Sequence, residues 1–191
     1  MHRESPSHRH ASSCFALLGC VALIAACDSR DRDGAGALSS YEQGYALVYW
    51  QADKLKNIDK LLVVKREREA IQEITEEVAR LAANVASDLE AFSASHAGVV
   101  LEREFLPPIE AGARNRMGSN IAGELLFSSG CDFEQRLVFT EAVAVLRLSS
   151  LAEEMEDQAP DDEQERLWAG IARESYAVFE RVRDLINRCP E

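Results

Sequence analysis

Basic charge and histidine are both scarce in this chain. Its 191 residues hold 21 Lys and Arg against 33 Asp and Glu, for a formal net charge of −12, and only four His. The acidic balance argues against non-specific nucleic-acid binding, which needs a cationic surface to displace counterions from phosphates. Few histidines leave little material for nucleophile–histidine catalysis. No nucleophile elbow, phosphate loop, His-Glu-x-x-His or Cys-x-x-Cys motif occurs, so the commonest signatures of hydrolases, nucleotide-binding enzymes and zinc sites are missing. No convincing alternation of apolar and polar residues marks a strand, and Val99-Val100-Leu101 is too short to seed a sheet. Long apolar runs are also lacking. The uncharged stretch 11–26 has sixteen residues, short of the roughly 20 that span a bilayer as a helix. What remains is a chain that is 47% hydrophobic, enough to build one globular core.

That uncharged stretch follows Arg3 and Arg9, opposed by Glu4, and ends Leu23-Ile24-Ala25-Ala26-Cys27. A positive flank, a short apolar run and small residues at its end read as a secretory signal peptide. The closing residues resemble the lipobox of bacterial lipoprotein signals: an aliphatic residue, two small residues, then cysteine. The resemblance covers about residues 1–28 and extends to no family for the rest. It implies a diacylglyceryl group on the Cys27 thiol, cleavage before that residue, and acylation of the new amino group. Two or three palmitate-type chains hold a protein at a membrane where one would be marginal. A plain signal peptide with an incidental cysteine is the alternative, and Leu17-Leu18-Gly19-Cys20 is a weaker second match. Asp28, directly after the lipid cysteine, leans toward the inner membrane by the enterobacterial pattern.

The expected organisation is therefore a signal peptide over 1–26, a flexible tether over 27–38 and a helical domain over 39–191. The expected location is a bacterial cell envelope, lipid-anchored and facing the periplasm. Cleavage removes Arg3, Arg9 and Glu4, leaving 165 residues with a charge of −13 and one histidine, His96. The tether residues Asp31, Asp33 and Gly34 echo an EF-hand loop, but Ser40 stands where a bidentate Glu is required.

Cys14 and Cys20 leave with the signal, so Cys131 and Cys189 form one pair in an oxidising compartment. Two free buried thiols are the alternative, and zinc is disfavoured because no histidine partners lie near. A bridge would close a loop of 58 residues, worth roughly 4 kcal/mol on the chain-entropy model.

The remaining sequence reads as helix. Ser39 and Glu42 form a capping box at the start. From Tyr45 to Ala97 there is neither Gly nor Pro. Tyr41, Tyr45, Val48, Ala52, Leu55, Ile58 and Leu62 form one stripe, and Ile71, Ile74, Val78, Leu81, Val85, Leu89 and Phe92 form another. The charged run Lys65–Glu69 between them offers the core nothing. One continuous helix would reach roughly 80 Å, so a break is expected near Asn57–Asp59, or else at the charged run, with a continuous helix as the alternative.

Gly98 ends this segment and Pro107-Pro108 opens a glycine-rich helix, whose inner face is expected at Ile109, Ala113, Met117, Ile121 and Leu125. Asp132, with Gln135, is expected to cap a helix carrying Phe133, Leu137, Thr140, Ala144, Leu148, Leu151 and Met155. Gln158-Ala159-Pro160 reads as a turn. A last helix starts among Asp161-Asp162-Glu163 and turns Trp168, Ile171, Ser175, Val178, Val182 and Leu185 inward. A hairpin of these last two helices brings Cys131 and Cys189 to the same end. The expected fold is all-α, an antiparallel helical bundle of four to five helices.

Chemistry is thin on these helices. Glu141 is a single carboxylate, expected at the edge of its stripe, and the pairs Glu76-Glu77 and Glu153-Glu154 read as solvated faces. No metal ligand set, cofactor or catalytic residue is expected. The most unusual stretch is the locally cationic run with Arg114, Asn115, Arg116, Ser119 and Asn120, a candidate contact for an anion or a partner. Close packing of its small residues, with its arginines meeting acidic neighbours, is the alternative reading. The functional expectation is a lipid-anchored envelope protein with a non-enzymatic protein-interaction or scaffolding role. A small-ligand or metal-binding periplasmic bundle is the alternative, and an enzyme without a recognisable motif ranks last. Contact with the membrane runs through the lipid, an envelope protein partner is anticipated, and nucleic acid is not.

Overall fold

A computed structural model describes residues 39–63, 68–101 and 108–186. The chain divides into two units, Met1–Gly36 and Ala37–Glu191, and every described residue belongs to the second. The signal peptide, Cys27, Asp28, the tether up to Leu38, and Cys189 lie outside the described residues.

Among the described residues there are five α-helices: α1 (Ser40–Leu55), α2 (Glu69–Ser95), α3 (Pro108–Phe127), α4 (Gly130–Asp157) and α5 (Asp162–Arg183). The fold is all-α, with no strand among the described residues. At the N-terminus of α1, the Ser39 hydroxyl accepts from the Glu42 amide at 3.2 Å while the Glu42 carboxylate accepts from the Ser39 amide at 2.7 Å. That reciprocal cap satisfies two of the otherwise unpaired amides at a helix start. The first long helical segment breaks where Asn57 and Asp59 stand: α1 closes at Leu55 and a 3-10 turn, Ile58–Val63, follows. His96 ends α2, and the chain leaves through Gly98 at φ 106°, a conformation that costs glycine little.

The direction of each helix follows from residues that meet. Tyr45 stacks on Phe92 and Tyr49 donates to Glu90 at 2.7 Å, so α1 and α2 are antiparallel. Ser149 donates to the Ala172 carbonyl at 3.1 Å across the α4–α5 hairpin. Arg68 meets Glu134, and Thr75 meets Glu141, an equal offset that makes α2 and α4 parallel. The crossover α3 allows this, because it returns the chain along α4 before α4 begins. Its register is marked by Glu124 and Arg136, paired at 3.0 Å. Four helices thus enclose the core and α3 lies outside them.

Both long stripes face that core. All seven apolar positions expected in α2 are buried, as are Tyr45, Val48, Ala52 and Leu55 of α1. Trp168 and Tyr45 anchor the center, their rings 4.8 Å apart. Gly44 of α1 lets Met155 of α4 approach; a Cβ there would overlap the methionine sulfur. At α5 the Asp161 carboxylate accepts from the amides of Glu163 and Gln164 at 3.0 and 2.9 Å. The same carboxylate holds the Gln164 side chain, whose carbonyl accepts from Tyr41 and Tyr45 at 3.0 and 2.6 Å. Helix start and aromatic core are therefore one network.

Three expectations change. Helix α4 begins at Gly130 with Ser129 at its cap, and Asp132 holds Arg136 instead of capping. The run Lys65–Glu69 is not wholly idle: the buried Glu134 carboxylate accepts from the Arg68 amide at 3.1 Å and from its guanidinium, closing the start of α2 from across the bundle. On α3, Ile109 and Met117 are exposed and Ala113 with them, while Leu125 and Arg114 are buried. Successive i,i+4 steps advance about 40° around a helix, so Ile109 ends on nearly the opposite side from Leu125. Arg114, eleven residues before Leu125, falls back almost on its line.

Candidate functional site

The five residues of the cationic run do not act together. Asn115, Arg116, Ser119 and Asn120 are exposed, and Ser119 donates to the Asn115 carbonyl of its own helix at 3.0 Å. Arg114 alone turns inward, 8% exposed. Its Nε donates to Glu110 at 2.5 Å, one turn back, and its guanidinium carbon lies 5.1 Å from the ring center of Trp50 on α1. Its Nη1 is buried without a hydrogen-bond partner. Arg147 of α4 is half-buried close by. Burial first, and then the positive charge of Arg114, hold its guanidinium below its ordinary value, with Glu110 opposing. Sequence reading singled out Arg114 but not Arg147 or Trp50, because this meeting depends on how α3 lies across two other helices.

Beside this cluster, large apolar side chains are exposed on both α3 and α4. Phe139, Val143 and Leu146 follow one another at helical spacing on α4, 60%, 53% and 39% exposed. On α3, Met117 is half-exposed, Ile109 is 88% exposed and Phe127 is 93% exposed. The α3–α4 register, with Glu124 at Arg136 and Arg114 near Arg147, sets Met117 level with Val143 along the axis. Gly112, Gly118 and Gly123 have open space where a Cβ would stand, so close packing among the described residues does not explain them.

Glu141 corrects a further expectation. It is fully buried, and neither carboxylate oxygen has a hydrogen-bond partner. Burial pushes its carboxyl up to about 8; the Thr75 hydroxyl of α2 lies close enough to oppose this, without forming a well-aligned hydrogen bond. Buried charges normally come paired. This carboxyl avoids that cost by staying protonated near neutral pH. Ser175, also fully buried, has no partner for its hydroxyl.

His96 is accounted for by the end of α2. Its ring stacks on Phe92 with centers 3.8 Å apart, and Nδ1 lies 3.0 Å from the Phe92 carbonyl. A shallow groove of about 210 Å³ runs between α2 and α5. Two of its charges, Arg181 and Glu77, already pair, and the volume falls below the roughly 300 Å³ of ordinary ligand pockets. Cys131 is exposed in the first turn of α4. Among the described residues, no group of three or more His, Cys, Asp or Glu is placed to hold a metal, and no helix is long and apolar enough to cross a membrane. No protein-family model, curated protein or solved structure matches the chain.

Proposed function

We propose that this is a lipid-anchored protein of the bacterial envelope whose helical bundle docks another protein, without catalysis of its own. The observation that carries the docking role is the exposed stripe Phe139–Val143–Leu146 on α4, with Met117 of α3 exposed at the same level along the axis. A run of exposed large apolar side chains at helical spacing is uncommon on proteins that work alone and is typical of surfaces that meet a partner. The anchor rests on the residues before Cys27 and places that stripe on a domain held at a membrane in the periplasm.

The test uses a photo-crosslinking residue in place of Phe139 in the full chain, expressed in cells. A discrete adduct is expected there, none from the same residue at Glu174 on α5, and loss of the adduct when Val143→Asp is added. Equal labelling at both positions would count against docking at this face. An adduct of twice the chain's mass would assign the face to a second copy. For the anchor, Cys27→Ser is expected to leave the chain unprocessed or release it from membranes. Wild-type fractionation and processing would overturn lipidation. We also propose a Cys131–Cys189 disulfide, read by a 2 Da mass increase on reduction and by thiol alkylation only after reduction.

A further inference from the structure

The chain carries twelve more acidic than basic groups, so a partly buried arginine would ordinarily find a carboxylate. Yet among the described residues where α1, α3 and α4 meet, two arginines stand near each other with one carboxylate, Glu110. Arg114 spends its Nε on Glu110 and keeps a buried Nη1 unpartnered. Arg147, half-buried, sits close enough to feel the Arg114 charge, and Glu110 itself is about half exposed. Trp50 supports the Arg114 plane at 5.1 Å, which fixes the direction of the guanidinium without satisfying its donors. The α3–α4 register set by Glu124 and Arg136 brings Arg114 level with Arg147; two like charges near one another in a partly dry setting repel, and a buried donor without an acceptor is costly. Both costs disappear if an anion lies between them. A guanidinium offers donors in a fixed plane that suits two-oxygen groups.

We propose that Arg114 and Arg147 form a binding site for a small oxyanion, a phosphate or a carboxylate. Trp50 and Glu110 act as positioning residues, the first by stacking and the second by holding Nε so that Nη1 faces the ligand. The site does not depend on protein docking at the α4 stripe. Its ligand bridges α3 to α4, so binding fastens the one helix that lies outside the four-helix core.

The experiment uses the full chain in a non-ionic maltoside micelle, titrated with inorganic phosphate and separately with acetate, each against chloride at equal ionic strength. Thermal unfolding and calorimetric titration are the readouts. The expected result is a rise in the unfolding midpoint with one or both oxyanions and none with chloride. Which of the two acts more strongly names the ligand class. Arg147→Met keeps the aliphatic stem and is expected to weaken binding about tenfold or more, the worth of one hydrogen bond to a charged group. Arg116→Met, on the exposed side of α3, is expected to bind as wild type. Arg114→Met is expected to abolish binding, and Arg147→Met keeps the proposal testable if that variant fails to fold. Equal responses to chloride and both oxyanions, or undiminished binding by Arg147→Met, would overturn the site.

Discussion

Replacing Glu141 with Gln should flatten the stability of this protein against pH across the near-neutral range. The folded carboxyl titrates at about 8 against an ordinary 4.5, because it is buried. Over that window the folded state holds a proton that the unfolded state has released, so folding stability falls as pH rises. The fall begins near pH 4.5, where the unfolded chain ionises, and ends near pH 8, where the folded carboxyl ionises too. At about 1.4 kcal/mol per pH unit, the whole window is worth on the order of 5 kcal/mol, of which about 3 is already lost at pH 7. That is a large share of the 5–15 kcal/mol typical of a domain. Glutamine has nearly the same shape but does not titrate, so the difference between the two proteins isolates this group from the general effect of net charge. Urea melts of both at pH 5, 6, 7 and 8 supply the measurement. The wild type should lose about 1.4 kcal/mol per unit relative to the variant. Parallel pH profiles would refute the reading, because they would mean that Glu141 ionises in the fold at its ordinary value.

Asp161 should act in a separate and lower range. Its carboxylate is held below its ordinary value by hydrogen bonds from Gln164, chiefly from the backbone amide. Its stabilisation is therefore present above the unfolded value near 3.8 and disappears only as pH falls further. Asp161→Ala should lower stability at pH 7 in chemical denaturation through loss of the helix cap, and by more if the Tyr41 and Tyr45 hydroxyls lose Gln164 with it. Two glycine substitutions should move in opposite directions. Gly118→Ala meets open space and should raise stability by about 0.5–1 kcal/mol. Gly44→Val drives into the buried Met155 and should lower it by about 1–3 kcal/mol. Thermal melts of the two variants against wild type distinguish them.

The helices that carry regular stripes were legible in the sequence, and so were the capping box at Ser39 and the start of the last helix among Asp161-Asp162-Glu163. In α2 every apolar position expected inward is inward, because steps of three and four are mixed there and largely cancel their drift around the axis. In α3 the steps are all of four, and the drift they accumulate carries Ile109 away from Leu125. The same arithmetic places Arg114 on the buried line, but an arginine in that register reads as surface by composition. Glu141 hid for a similar reason. It stands four residues after Leu137 and seven before Leu148, fully on the core line, yet an unpaired carboxylate is among the least expected residues in a core. Contacts between helices distant in sequence, such as Arg114 with Trp50 and Arg68 with Glu134, depend on crossing geometry that no local pattern encodes.

The hairpin of α4 and α5 also orders events in time. Its helices are joined by a turn of a few residues and meet along much of their length, so pairing them closes only a short loop. Helix α1 meets the same hairpin through Tyr41 and Gln164, 123 residues apart, and closing that loop costs more entropy before any contact repays it. The hairpin should therefore assemble early and α1 dock late, leaving Trp168 and its indole N–H, which donates to Tyr41, uncovered until the final step. A chain synthesised from its N-terminus must then keep α1 waiting until its last helix has emerged.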